Sequence, residues 1–167
     1  MFATPGGDLH GAIALTEKAL ALNPNSIVAL TVSGRSHAAA GNTDVAIECL
    51  RRAARLNPLA GGGFRNNVTS IAYFHAGQYE TAIEFARRAL LDSPNYVAPM
   101  RRLAALLGLL GRIGEAREVV QRLRTISPDM TISRVRAYLA VMSPPGAKSS
   151  HFHDAMCEGL RRAGLPE

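Results

Sequence analysis

Four prolines, Pro24, Pro58, Pro94 and Pro128, recur at intervals of 34, 36 and 34 residues. A chain fills a period of this size with stacked helical hairpins, each burying its apolar face on the next. Other registers run in phase with the prolines. Seventeen residues before each stands a glycine (Gly7, Gly41, Gly77, Gly111), and twelve before, an alanine (Ala12, Ala46, Ala82, Ala116). Five before come Ala19, Ala53, Ala89 and Leu123, and six before come Lys18, Arg52, Arg88 and Arg122. The glycine supplies the left-handed residue that ends one helix and turns into the next. The alanine lets two antiparallel helices cross closely, and the proline stops the second helix of the hairpin.

The apolar periodicity between these marks predicts helices near 8–22, 27–40, 43–56, 64–76, 79–92, 97–110, 113–126, 130–142 and 150–163. The array occupies residues 1–142, with units near 7–26, 27–60, 61–96 and 97–130 and a single further helix over 131–142. Ser143-Pro144-Pro145-Gly146 opens a linker over 143–149. Residues 150–167 form a capping helix and tail, with Phe152, Met156, Leu160 and Ala163 on one stripe that should cover the open end of the stack. The first unit supplies only a second helix, which leaves Leu9, Ile13 and Leu20 without their usual partner. That reads either as a fragment whose upstream domain is absent from this chain or as a degenerate terminal half-repeat.

Within residues 27–60, Leu30, Gly34, His37, Ala46, Leu50 and Pro58 fall on the marked positions of the tetratricopeptide repeat, and Ser33 departs from its leucine. In the next unit Ser70 replaces the glycine, Tyr73 keeps the tyrosine, and two extra residues fit within Gly61-Gly62-Gly63. Ala104, Leu107, Ala116 and Val120 hold the places after that. Residues 7–142 therefore resemble a tetratricopeptide array, which implies an all-α fold: a right-handed α-α superhelix of helix hairpins with a C-terminal capping helix. The run Thr131-Ile132-Ser133-Arg134 and the tail from Gly159 to Glu167 are similar to repeat regions that follow bacterial class III adenylate/guanylate cyclase domains or winged-helix regulator domains. That likeness implies, as the alternative reading, the regulatory repeat region of a nucleotide cyclase signalling protein whose catalytic domain is missing here.

In such arrays the first helix of each hairpin lines the concave surface. The i, i+3, i+4, i+7 stripes are Val28, Thr31, Val32, Arg35; Phe64, Asn67, Val68, Ile71; Ala98, Arg101, Arg102, Ala105; and Ile132, Val135, Arg136, Leu139. An apolar floor set with Asn67, Arg101, Arg102 and Arg136 suits a peptide bearing carboxylates, because a guanidinium grips a carboxylate through two parallel bonds. The expected peptide-binding residues are thus Arg35, Phe64, Asn67, Ile71, Arg101, Arg102 and Arg136, and the expected partner is a protein or peptide, acidic in character. The opposing reading is a surface that packs on an upstream domain or on itself.

The 19 basic and 13 acidic residues give a net charge of +6. Glu48, Glu84 and Glu118 precede Arg52, Arg88 and Arg122 by four residues, the favourable order for helical ion pairs on a solvated outer face. With neither aromatic interleaving nor a reading-helix or zinc-finger pattern, nucleic acid is not the expected partner. His153 and Cys157 stand one helical turn apart, but Phe152 and Met156 are the apolar stripe of the same helix, so surface residues are expected there and no metal. Phosphate-loop, dinucleotide and nucleophile-elbow motifs cannot be completed, so no cofactor and no catalysis are expected. The longest apolar run, Leu103 to Gly111, is too short to span a bilayer. The start lacks the pattern of a signal peptide, which places the chain in the cytoplasm with Cys49 and Cys157 as free thiols.

Overall fold

The computed structural model describes residues 8–58, 62–142 and 150–167. Among these, the chain forms nine α-helices and no strand: α1 (Leu9–Leu22), α2 (Ile27–Ala40), α3 (Thr43–Leu56), α4 (Gly62–His75), α5 (Tyr79–Asp92), α6 (Val97–Leu109), α7 (Ile113–Ile126), α8 (Ile132–Met142) and α9 (Ser150–Arg162). The pairs α2/α3, α4/α5 and α6/α7 are the hairpins, stacked side by side as an α-α superhelix. No helix among the described residues is long and apolar enough to cross a membrane.

The glycine register makes the turns. Gly41, Gly77 and Gly111 have φ of 84°, 72° and 74°, a region open to glycine at no steric cost. Each closes its helix with two bonds: at the first turn, Gly41 N–H donates to Ala38 O (3.1 Å) and Asn42 N–H to His37 O (2.8 Å), the double bond that satisfies carbonyls at a helix end. The expected turn at Gly7 and the expected linker over 143–149 lie outside the described residues.

The alanine register makes the crossings, with Ala46, Ala82 and Ala116 fully buried. Opposite Ala46 stands Gly34, where a Cβ would press on the Leu50 side chain and the Ala46 carbonyl. Ser70 takes the glycine place in the next unit without forcing the helices apart, because its hydroxyl donates to the Ala82 carbonyl across the crossing (2.8 Å).

Every residue of α6 from Pro99 to Gly108 is buried, the mark of a helix enclosed on all sides. It packs on α5, α7 and, along much of its length, α9. At the α6/α9 crossing the two backbones meet: a Cβ on Gly108 would collide with the Gly159 carbonyl oxygen, and one on Gly159 with that of Ala105. Met156, Leu160 and Ala163 of the expected stripe are buried at this contact, while α8 packs chiefly on α9. The tail is tied back as well. Gly164, at φ 87°, turns Leu165 into the core, and Ile132 N–H donates to Pro166 O (2.8 Å).

Candidate functional site

The stripes of α4 and α6 expected to line the concave side converge on a polar cluster that is buried rather than an open groove wall, with α9 lying against Ala105 of the α6 stripe. Arg102 is 4% exposed, and its Nη1 donates to both the backbone oxygen (3.1 Å) and the side-chain oxygen (2.9 Å) of Asn67, one unit earlier. The Asn67 amide then donates to the Tyr96 hydroxyl (3.1 Å). Next to it Arg101, 7% exposed, holds its guanidinium over the Tyr138 ring, 4.5 Å from the centroid. The Nε of both arginines is buried without a hydrogen-bond partner. No acidic side chain among the described residues pairs with either.

The cluster is therefore a buried excess of positive charge, and its electrostatics follow. Burial, reinforced by the neighbouring Arg101 charge, pulls Arg102 down to about 9. Burial also lowers Arg101, against a favourable pull from Tyr138. His75 is pushed down to about 4, first by burial and then by the charges of Arg102 and His153. Its neutral ring stacks on Phe152 of α9 at 4.2 Å. Tyr96 is raised by burial.

Of the residues expected from the sequence, Asn67, Arg101 and Arg102 come together. Arg35 is half-buried on α2, with its charge felt at Tyr96. Ile71 packs partly buried against the core, and Phe64 stands 42% exposed at the start of α4. Arg136 is exposed on α8 and makes no hydrogen bond or ion pair among the described residues. Sequence reasoning missed Tyr96 and Tyr138, while His75, expected as a groove or packing residue rather than an acid–base group, packs on Phe152. Continuing the α4 and α6 stripes by one turn would have reached Phe74, His75 and Gly108, and these are residues on which α9 lies.

The outer arginines need a correction. Only Arg88 pairs with the glutamate four residues before it, at 4.0 Å. Arg52 instead donates to the Pro24 carbonyl (3.0 Å), and Arg122 to that of Pro94 (2.6 Å). A charge-assisted bond to a fixed carbonyl wins over an ion pair between two mobile exposed chains, so these residues stitch one unit to the next. Cys49 and Cys157 are free and buried, and no group of three metal-ligating side chains gathers among the described residues.

Two family models, each described as tetratricopeptide repeat, match residues 31–98 and 73–141. Residues 31–141 belong to the tetratricopeptide repeat family. The tetratricopeptide fold extends beyond that span. A crystal structure of MamA superposes with a TM-score of 0.67 over 98% of this chain and 94% of that one, at 21% identity. A second, titled crystal structure of MamA protein, gives 0.66 over 94% and 81%, at 23% identity. A third, titled MamA RS-1 ArsTM double mutant, gives 0.66 over 93% and 86%, at 15% identity. At these identities the likeness speaks for the tetratricopeptide architecture alone. No curated protein matches the chain.

Proposed function

We propose that this chain is a non-catalytic interaction module of the cytoplasm that binds an acidic segment of a partner protein on its concave face. The observation that carries the reading is the pair Arg101 and Arg102, two adjacent buried guanidiniums for which the fold supplies no carboxylate among the described residues. A fold rarely buries charge without a counterion, and a partner's carboxylate is the group that completes the cluster. Arg102 acts by its field and by fixing Asn67. Arg35, Tyr96 and the edge of Arg101 are the groups a peptide meets, and Phe64, at the start of α4, offers further apolar surface. The tetratricopeptide architecture supports a scaffold role in general.

The test is calorimetry with a glutamate-rich peptide and its lysine counterpart. The acidic peptide should bind more tightly, and Arg35→Ala and the pair Arg101→Ala with Arg102→Ala should each weaken it, by about 1.5–3 kcal/mol for each charged hydrogen bond that Arg35 or Arg101 gives the peptide. Arg55→Ala with Arg124→Ala, on the outer face, is the control. Equal weakening in both double variants, disappearing together in high salt, would show diffuse attraction only.

A second reading, the regulatory region of a nucleotide cyclase signalling protein, draws on the resemblance of residues 131–134 and 159–167. The α1 residues expected to lack a partner are covered, Leu9 being buried and Leu20 packed against Leu30, but Leu15 and Leu22 of the same helix are exposed, as they would be where another domain packs. Binding of a class III cyclase domain, abolished by Leu15→Asp, would support it.

A further inference from the structure

The arginine stitch is missing at one joint. Arg88 holds the same register as Arg52 and Arg122, yet the proline carbonyl of the preceding unit lies 30 residues behind it rather than 28. Arg65 donates to that carbonyl, Pro58 O (3.3 Å), and to Asn57 O (2.8 Å). Arg88 makes no equivalent bond among the described residues. Its guanidinium lies over the face of Phe85, 5.0 Å from the ring centroid.

The outer face is open at the same joint. Between α5 and α7 it is closed by Arg87 to Glu115 (2.6 Å) and Arg112 to Glu80 (3.3 Å), whereas no ion pair among the described residues joins α3 to α5. A cavity of about 480 Å³ opens there, in the range of small-ligand sites. Its apolar walls are Ile47, Leu50 and Leu91, and Tyr73 and Phe85 stack within it at 5.5 Å. Arg51, whose Nη2 stands 3.4 Å from the Tyr73 hydroxyl, and Arg88 mark its rim. The one acid of the lining, Asp92, is engaged elsewhere: it accepts from the Asn66 amide (3.3 Å) and sits against Gly62 at the start of α4.

We infer that this outer wedge between α3 and α5 binds a small amphipathic carboxylate, a molecule with an aromatic or aliphatic body and one carboxyl group. The body lies against the Tyr73 and Phe85 rings and the aliphatic walls. The carboxylate takes the guanidinium of Arg88, held in place by the Phe85 face, in exchange for its long, exposed 4.0 Å contact with Glu84, with Arg51 opposite. A cation is repelled by two arginines, and a neutral isostere forgoes the charged bonds.

The experiment titrates the full chain with 3-phenylpropanoate, its amide and 3-phenylpropylamine, by calorimetry. Saturable binding of the carboxylate is expected, with the amide at least about tenfold weaker and no binding of the amine. Arg88→Ala and Phe85→Ala should each weaken the carboxylate about tenfold or more, with Arg88→Lys in between, because an ammonium keeps the charge and loses the fork. Arg52→Ala, the stitched arginine of the same register, and Arg101→Ala on the concave face should leave affinity unchanged. Melting curves confirm that Arg88→Ala, a surface change, stays folded. Equal binding of carboxylate and amide, no saturable binding, or equal weakening in Arg52→Ala would overturn the assignment. Weakening in Arg101→Ala alone would place the ligand in the concave cluster instead.

Discussion

Arg102 shows how one residue can be costly to the free protein and useful to a complex. Removing its guanidinium leaves the Asn67 side-chain oxygen without its donor, the backbone oxygen keeping its bond within α4, but it also removes a buried charge that the fold does not balance. The charge is the larger effect, so Arg102→Met should stabilise the free protein by about 1–3 kcal/mol net while weakening the acidic peptide. Chemical denaturation beside peptide titration checks both, and a destabilised variant would mean that the Asn67 bonds matter more. His75 sets a second expectation. Its folded value near 4 lies below the usual 6.5, so as the pH falls the unfolded chain takes up the proton first. Stability present above about pH 6.5 should decline by about 3 kcal/mol by pH 4. His75→Phe should flatten that part of the stability profile; an unchanged slope would remove His75 as its source. Neither residue's electrostatic role was legible in the sequence. Arg102 reads as a groove side chain from its helical stripe, but the want of a counterion is a property of neighbours drawn from other units.

At the scale of the elements, glycines of one residue type do different work. Gly108 and Gly159 permit the α6/α9 backbone contact, and a methyl group at either cannot be absorbed by a flexible side chain. Gly108→Ala and Gly159→Ala should each cost at least about 2–4 kcal/mol, as overpacking against backbone does. Gly114, in α7 with open space around it, should gain about 0.5–1 kcal/mol on changing to Ala, because helix propensity alone decides there. Denaturant midpoints for the three variants are the measurement; a neutral Gly108→Ala would mean that α9 can slide. The helices and the turns at Gly41, Gly77 and Gly111 were legible because period and turn chemistry are local. The seat of α9 along α6 was not, since an apolar stripe tells that a helix has a partner and leaves open which one. The arginine stitches were hidden for the same reason: at four-residue spacing a glutamate is always near in sequence, while the competing carbonyl is near only after the units stack.

The whole molecule is a stack whose joints are not equivalent. Contacts between neighbouring units hold a repeat array together, but here α9 returns to α6 and draws the C-terminal part into one enclosed core with Val68, Phe74 and Leu107. Deleting residues 150–167 should therefore do more than shorten the array. Ala105, Gly108 and the apolar run of α6 would face water, and the shortened chain should lose its cooperative melting transition and self-associate, as checked by circular dichroism and size-exclusion chromatography. A sharp, fully cooperative transition in the shortened chain would show that the hairpins suffice.

The α6/α9 glycine contact also has a meaning in time. During synthesis α2 to α5 can pair as they emerge, each hairpin finding its partner within a few tens of residues. α6, buried without a break from Pro99 to Gly108, cannot be enclosed in that way. It must wait for α9 to be made, so a nascent chain that has not reached α9 carries along α6 a sticky surface that α9 later hides.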